Sequence, residues 1–280
     1  MRKILLLNKK LLIVTLEIIL LLFSLLLIFG PMTSLALWSI ADKWFWPNPL
    51  PQSIGLDYWR QALGIQKSLA IGAVSIIPAF FLSLMIAVIT VITAMAIAIP
   101  AGYALAKYKI PFGTFIFFLF LMPNAFPQQP IFVNLLDIFT KIGLAGTIPG
   151  VIIVHILVGL VFGVWITSAT FRSIPRQLEE AARSVGANGL KTFFRITLPL
   201  AAPGLLASSV FVFITSLDEF TGTFFIGLPF VITLPMTLYS SSGYNMQFAS
   251  VIAIILLLPS MLFMMLIQKV LKAEYVGGMG

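Results

Sequence analysis

Long apolar runs separated by short polar segments dominate this chain. A helix needs about 20 predominantly apolar residues to cross the hydrocarbon core of a bilayer. By this measure the pattern predicts six membrane-spanning helices, at about residues 11–37, 80–106, 113–136, 148–171, 199–226 and 248–270. The expected fold class is therefore all-α, a polytopic membrane protein in which residues 1–280 form a single transmembrane domain.

Prolines interrupt two of the apolar runs. The run over residues 68–106 is too long for one span, so we expect Pro78 to separate a short interfacial or amphipathic segment from the second span. Pro123, Pro127 and Pro130 fall in the far half of the third span, where a missing N–H and a steric clash break a helix. Loops are expected over residues 38–67, 137–147, 172–197 and 227–247.

The first apolar run follows a basic N-terminal segment, which is also the arrangement of a secretory signal peptide. The run over residues 11–29 is long for the apolar region of such a peptide. Gly30-Pro31-Met32-Thr33 follows it in place of a small-residue cleavage site. We therefore interpret this run as a retained spanning helix.

The composition also indicates a lipid environment. Hydrophobic residues make up 60% of the chain and charged residues only 9%, whereas soluble domains average about 45–50% and about 25%. These proportions exclude a soluble enzyme, a disordered chain and a DNA-binding domain as descriptions of the whole chain. The absence of cysteine excludes disulfides, thiol catalysis and thiolate metal sites.

Positive charge is distributed unevenly among the predicted loops. With the N-terminus in the cytoplasm, 13 of the 17 Lys and Arg residues fall in cytoplasmic segments. The residues that fall outside are Lys43, Arg60, Lys67 and Lys141. Because cytoplasmic loops of membrane proteins carry the excess of Lys and Arg, this distribution predicts that both termini are cytoplasmic.

The loop after the fourth span, residues 172–198, has the features of an ordered segment. Residues 177–185 favour a helix, with Glu179 and Glu180 early in it and a basic residue near its end, as the helix dipole prefers. Gly186 can end this helix in a left-handed conformation.

A second short helix is expected over about residues 189–196, with Leu190, Phe193 and Phe194 on one side and basic side chains on the other. From the residues alone, two interpretations of the loop remain open. The loop either docks into a cleft of a cytoplasmic partner or lies on the inner leaflet as an interfacial amphipathic helix.

A motif in this loop favours the first interpretation. The pattern E-A-A-x3-G-x9-I-x-L-P is formed by Glu180, Ala181, Ala182, Gly186, Ile196, Leu198 and Pro199. It resembles the EAA motif of permease subunits in binding-protein-dependent ABC importers. Two further stretches, residues 101–107 and 171–175, are also similar to those permeases. The resemblance covers about residues 80–270.

The resemblance implies a type I ABC importer permease, in which the EAA loop forms coupling helices that sit in a groove of the ATP-binding subunit. Glu180, with Glu179 beside it, would contact the ATPase. Ala181 and Ala182 would permit close approach, and Gly186 would make the turn. The remaining residues of the expected coupling set are Ile196, Leu198 and Pro199.

The resemblance also implies the partners of this chain. They are an ATP-binding subunit dimer, a second permease subunit that is related but non-identical, an extracytoplasmic solute-binding protein and membrane lipid, with no nucleic acid. ATP and Mg would bind to the partner ATPase, with no cofactor or metal on this chain. Residues 186–192 depart from the phosphate-binding pattern G-x4-G-K-[ST], because Leu190 separates Gly189 from Lys191. We therefore expect a transport subunit of the cell inner membrane and not an enzyme.

Polar residues near the predicted spans are candidates for the translocation pathway, because ionisable groups within a bilayer are costly. Asp218 and Glu219 fall in the predicted fifth span. Either one carboxylate lines the pathway, or the span ends early and both lie at the outer interface, solvated or capped. Asn124 and Gln128 lie on the proline-broken third helix, where freed backbone groups need a cavity or a protein contact. A plain kinked helix is the alternative there. Tyr239 completes the candidate set.

A further resemblance bears on the solute. Residues 216–220, 233–235 and 239–240 are similar to the matching segments of polyamine-type permeases, whereas sugar permeases usually carry a Trp-Asn-Glu-Phe-like stretch at the first of these. A polyamine or another amine-bearing compound is therefore the expected solute. The alternative is a sugar, iron or a phosphonate carried by the same machinery. An ion-coupled secondary transporter is the alternative from a different class.

Overall fold

The computed structural model describes residues 2–45, 47–65 and 76–277. Most of the interfacial or amphipathic segment expected before the second span lies outside these described residues. Within them, five helices are long and apolar enough to cross a membrane, or six if one bent helix pair counts as a single span. This number agrees with the six spans predicted from the apolar runs.

The described chain is almost entirely helical. The helices are α1 (Arg2–Ser39), α2 (Asp57–Ala62), α3 (Ile77–Lys107), α4 (Gly113–Leu121), α5 (Gln128–Lys141), α6 (Ile148–Ser173), α7 (Arg176–Ser184), α8 (Gly189–Thr192), α9 (Leu198–Leu217), α10 (Thr221–Gly227), α11 (Leu234–Ser242) and α12 (Met246–Gly277). A 3-10 turn covers Met122–Asn124, and a π-helical turn covers Phe193–Thr197. Helix α11 falls inside the loop predicted over residues 227–247. Pro235 lies in the first turn of this helix, where a proline favours the start of a helix and does not break it.

The first of two structural units comprises the described parts of residues 1–75 together with residues 241–254. In it, α1 is followed by two short antiparallel strands, β1 (Ala41–Lys43) and β2 (Ser53–Ile54). The rings of Trp38 and Trp44 stack with centroids 4.2 Å apart. The stretch predicted as a loop, residues 38–67, therefore contains regular structure. Strands this short carry no alternating pattern from which they could be predicted.

The second unit comprises residues 76–240 and the described residues from 255 onward. Its core lies where α3, α6 and α9 pack together, around Ala98, Val164 and Val212, whose side chains are fully buried. These are small or compact side chains. Between membrane helices, small side chains let the backbones approach closely, which is the main source of packing energy when lipid surrounds the bundle.

Glycines set the spacing between α3 and α6. A Cβ atom on Gly102 would collide with the side chain of Thr167 and with the backbone nitrogen of Ser168. On α6, a Cβ atom on Gly163 would lie 3.1 Å from the Cβ of Ala98. The hydroxyl of Thr167 donates a hydrogen bond shared between the carbonyl oxygens of Ala98, at 3.0 Å, and Gly163, at 2.7 Å. The two helices are thus held in contact by close packing and by a bond between them.

The third predicted span is sharply bent. Helices α4 and α5 meet at 94°. Pro123 lies in the 3-10 turn Met122–Asn124 and Pro127 precedes the first residue of α5, and neither proline can continue an α-helical ladder of hydrogen bonds. The break expected from the prolines is therefore present. Helix α5 extends through Lys141, however, so the loop predicted over residues 137–147 begins later than expected.

The fifth span both begins and ends earlier than predicted. The helix expected at 189–196 is not separate, because α8, the π-helical turn and α9 form one continuous helix from Gly189 to Leu217. The ring of Pro199 would clash with the carbonyl group four residues back in a regular helix, and the wider π turn directly before α9 relieves that clash. At the other end, α10 is a separate helix, so the predicted end near Ile226 was wrong.

Candidate functional site

The loop after α6 carries a short helix and a glycine turn. Helix α7 spans Arg176–Ser184, close to the predicted residues 177–185. Gly186 follows with a φ angle of +90°, in the left-handed region that glycine adopts at little cost. The side-chain oxygen of Asn188 then accepts a hydrogen bond from the backbone N–H of Lys191 at 2.8 Å and caps the next helix. The turn between the two helices is therefore defined at both ends.

One surface of this loop exposes large apolar side chains. The exposed fractions of Leu178, Val185, Leu190 and Phe194 are 44%, 86%, 72% and 60%. Glu180 is exposed on the same loop. A group of exposed apolar side chains within a charged segment marks a surface that binds a partner protein or a membrane. We call these five residues the docking surface.

The residues of the EAA motif divide between this surface and the base of the fifth span. Glu180, Ala181, Gly186 and Pro199 are exposed, whereas Ala182, Ile196 and Leu198 are half-buried. The first part of the motif lies on α7 and at the turn after it. The last part lies in the π-helical turn and the first residues of α9. The motif therefore joins an exposed helix to the start of a span.

Glu179 points away from the docking surface and is buried, with an exposed fraction of 6%. Its Oε1 lies 3.4 Å from Nζ of Lys107, the last residue of α3, and accepts a hydrogen bond from Thr197 Oγ1 at 2.9 Å. Lys107 Nζ also donates to the carbonyl oxygen of Ile174 at 2.8 Å. This buried cluster ties α7 to α3 and to the fifth span. Glu179 belongs to the predicted coupling set, but its partners Lys107 and Thr197 were not predicted, because no local spacing in the sequence relates them to it.

The two adjacent carboxylates at the end of α9 have different surroundings. Asp218 terminates α9 and its side chain is exposed. Glu219 is buried, and its Oε1 accepts a hydrogen bond from the backbone N–H of Gly222 at 2.7 Å, in the first turn of α10. The span ends at Leu217, so the two carboxylates lie beyond it, as in the alternative in which the span ends early.

The other pathway candidates fall in two places. The ring of Tyr239, which is exposed by 62%, lies with its centroid 4.7 Å from that of Phe220, beside the two carboxylates. Gln128 instead lines an apolar cavity of about 330 Å³ at the bend between α4 and α5. Asn124 is exposed at the same bend. The structure thus places Tyr239 against Phe220, the residue that follows Asp218 and Glu219, and places the two amides at a separate site.

The single histidine of the chain joins three helices of the second unit. His155 of α6 is buried, with Nδ1 2.8 Å from Ser216 Oγ and Nε2 2.8 Å from Thr223 Oγ1. Both ring nitrogens therefore have hydrogen-bonding partners, one on α9 and one on α10. With every polar atom of its ring paired, this histidine serves as a packing residue that fixes α10 on the bundle.

The fold and the loop together are those of a transport subunit embedded in the membrane. One chain of a bacterial ABC transporter involved in the import of the acidic polysaccharide alginate aligns with 94% of this chain and 97% of its own length, with a TM-score of 0.68 and 21% identity. A chain of the MetNI methionine ABC transporter aligns with 71% of this chain and 95% of its own, with a TM-score of 0.59 and 18% identity. Both likenesses are of fold, and they confirm the predicted type I ABC importer permease architecture.

The family follows from the sequence comparison. Residues 98–275 match the family described as binding-protein-dependent transport system inner membrane component, and the chain belongs to this family. It is therefore a multi-pass inner-membrane permease subunit of an ABC importer, as the EAA motif indicated. The matched residues include the whole loop after α6 and both members of the buried Lys107–Glu179 pair.

The solutes for which two relatives are named differ from the expected polyamine. The trehalose transport system permease protein SugB of Mycobacterium tuberculosis is 30% identical over 202 residues, 70% of this chain and 74% of that protein. The diacetylchitobiose uptake permease NgcG of Streptomyces coelicolor is 29% identical over 180 residues, 63% of this chain and 60% of that protein. A permease of Streptomyces antibioticus with no named solute is 29% identical over 191 residues, 67% of this chain and 83% of that protein. Of these three relatives, two are named for sugars and none for a polyamine.

Proposed function

We propose that this chain forms half of the translocation pathway of an ATP-driven importer for a saccharide or a small glycoside. The observation that carries the proposal is the similarity to the trehalose permease, which extends over 70% of the chain. A second relative of the same kind, 29% identical over 140 residues, is a permease for sulfoquinovosyl glycerol in Agrobacterium fabrum. The sugar alternative thereby replaces the polyamine as the leading solute.

Residues 172–198 are the coupling loop in this proposal, and the docking surface contacts an ATP-binding subunit. Glu180 gives that surface an acidic group among apolar side chains, and exposed basic residues of the same loop flank it. Such a surface suits a groove that is lined by apolar groups and contains a basic residue. ATP and Mg bind to the separate subunit, and the motion of that subunit reaches the spans through the Glu179 cluster and the π-helical turn.

The proposed orientation places both termini in the cytoplasm. The contact between Lys107 and Glu179 supports it, because it brings the end of α3 to the same side as the loop after α6. Both segments are among the Lys- and Arg-rich segments that are predicted to be cytoplasmic. A second, related permease subunit and an extracytoplasmic solute-binding protein complete the assembly.

The group of Asp218, Phe220 and Tyr239 is the proposed contact with the solute on this chain. An exposed carboxylate near the exposed ring of Tyr239 and the half-buried ring of Phe220 presents an acceptor for sugar hydroxyl groups and apolar surface for sugar C–H groups. Glu219 has a supporting role, because its carboxylate is bonded to the start of α10. Asn124 and Gln128 at the α4–α5 bend are secondary candidates.

The test is a reconstitution of the complete importer in proteoliposomes with its solute-binding protein. We expect trehalose-like disaccharides to stimulate ATP hydrolysis and to accumulate inside, and the polyamine spermidine to do neither. Glu180→Arg on the docking surface should abolish co-purification of the ATP-binding subunit. Asp137→Arg is the control for charge reversal at an exposed acid, because Asp137 is exposed on α5, away from the loop, where it pairs with Lys141. Uptake that persists without any ATPase would contradict the importer proposal and favour an ion-coupled carrier.

A further inference from the structure

A second concave site lies in the second unit, at the end of α3 and α6 that carries the loop. It is a cavity of about 640 Å³ between the α3–α4 connection, the first turns of α4 and the end of α6. The lining residues that matter here are Tyr108, Lys109, Phe112, Thr114, Phe117 and Arg172. None of these belongs to the docking surface or to the group around Asp218, so the proposed transport mechanism leaves the cavity without a role.

Two cations line this cavity. Arg172 lies with its guanidinium carbon 5.5 Å from the centroid of the Phe117 ring, which holds the head group of the side chain over the cavity wall. Lys109 lines the same cavity. Neither is a member of an ion pair among the residues that the structure describes. The nearby carboxylate of Glu179 is already paired with Lys107, so the cavity keeps an uncompensated positive charge.

The surface that continues from the cavity along α4 is apolar. Phe115, Phe118 and Leu119 are exposed by 66%, 62% and 53%. Helix α4 is the first half of the bent third span, so these side chains face lipid at the edge of the membrane. The site therefore combines two cations at the membrane boundary with an apolar surface that runs into the bilayer. Basic pockets of this kind at helix ends suit an anionic lipid head group.

We infer that this cavity binds an anionic phospholipid. The head-group phosphate lies between Lys109 and Arg172, and an acyl chain lies along Phe118 and Leu119. A free phosphate ion would use the same two cations but would gain nothing from the apolar surface. The inference depends on the membrane-spanning fold and not on the solute. The lipid site can therefore fail its test while the importer proposal stands, and the importer proposal can fail while the lipid site stands.

The experiment uses the complete importer, purified in a neutral detergent and supplied with phosphatidylglycerol or phosphatidylcholine. Native mass spectrometry counts the lipids retained by this chain. Two variants remove the site in different ways: the double change Lys109→Gln and Arg172→Gln removes the charge, and Thr114→Trp fills the cavity without changing charge. The control is the double change Lys43→Gln and Lys141→Gln, which removes the same charge elsewhere.

We expect the wild type and the control to retain phosphatidylglycerol in preference to phosphatidylcholine. The charge-removing variant should bind phosphatidylglycerol about thirtyfold more weakly, since the loss of each basic side chain near an anionic head group weakens binding about fivefold. Thr114→Trp should lose the lipid as well, with an unchanged unfolding temperature as evidence that it folds. Equal retention in all variants would overturn the inference. Displacement of the lipid by inorganic phosphate alone would assign the site to a free ion, and exclusion of lipid by the bound ATP-binding subunit would assign it to a protein contact.

Discussion

The ammonium group of Lys107 lies 3.4 Å from Oε1 of Glu179, and both side chains are almost fully buried. The pair is separated by more than 70 positions in the chain, and it joins the end of one span to the helix of the coupling loop. Thr197 Oγ1 donates to the same carboxylate oxygen from the π-helical turn. A displacement of α7 therefore moves α3 and the start of the fifth span together, which is the mechanical requirement for a coupling loop.

Replacing either member of this pair should destabilise the protein strongly. Lys107→Gln or Glu179→Gln leaves one buried charge unpaired, which costs about 3–5 kcal/mol. The double variant Lys107→Gln with Glu179→Gln should cost less than the sum of the two single changes. The unfolding temperature of the purified complex measures the effect. Lys141→Gln, which breaks the exposed pair with Asp137, should change stability by about 1 kcal/mol or less. Additive losses in the double variant would show that the pair is not coupled.

The backbone at Gly186 should not tolerate a side chain. Gly186→Ala places a Cβ atom on a left-handed residue with a φ angle of +90°, which costs about 1–2 kcal/mol. We expect a looser loop and weaker retention of the ATP-binding subunit on an affinity column. Gly189→Ala is the matched control, because a Cβ atom meets open space at both positions and only Gly186 has a positive φ. An identical effect of the two changes would argue against the strained turn.

The contact between α3 and α6 should be sensitive to a single methyl group. Gly102→Ala forces a Cβ atom against Thr167 and the backbone of Ser168, and overpacking of this kind costs about 1–3 kcal/mol. Thermal unfolding in detergent should show a clear loss of stability. Gly30→Ala on α1 is the control, since a Cβ atom there has no neighbour within 4 Å. If both variants unfold at the wild-type temperature, the two helices are not packed as closely as described.

Variants of the adjacent carboxylates Asp218 and Glu219 should distinguish a role in transport from a role in stability. Glu219→Ala removes the acceptor of the Gly222 N–H and leaves a buried donor unpaired, at a cost of about 1–3 kcal/mol. Glu219→Gln keeps an oxygen that can accept that bond and should be milder. Asp218→Asn is on an exposed side chain, so stability should stay the same while the solute concentration for half-maximal uptake rises. Unchanged uptake in Asp218→Asn would remove Asp218 from the pathway.

Several features of this protein followed from the sequence because they depend on neighbours along the chain. Apolar length alone located the spans, and Pro123 and Pro127 located the break in the third. The spacing of Glu180, Gly186 and Pro199 identified the loop and the family. The left-handed turn at Gly186 was also predictable, since a glycine after a helix with acidic and basic ends is a local signal.

Only the tertiary structure decided how these segments meet. Asp218 and Glu219 interrupt the apolar pattern after Leu217, so the sequence left open whether the span ends there, but it did not predict that Glu219 accepts a hydrogen bond from the start of a new helix. Leu217 and Glu219 are buried by neighbouring helices, and burial by neighbours has no signature in hydropathy. The partners of Glu179 are equally invisible in the local sequence, because Lys107 reaches it from another span. Local patterns specify which segments enter the membrane, whereas contacts between distant segments determine which polar side chains face each other there.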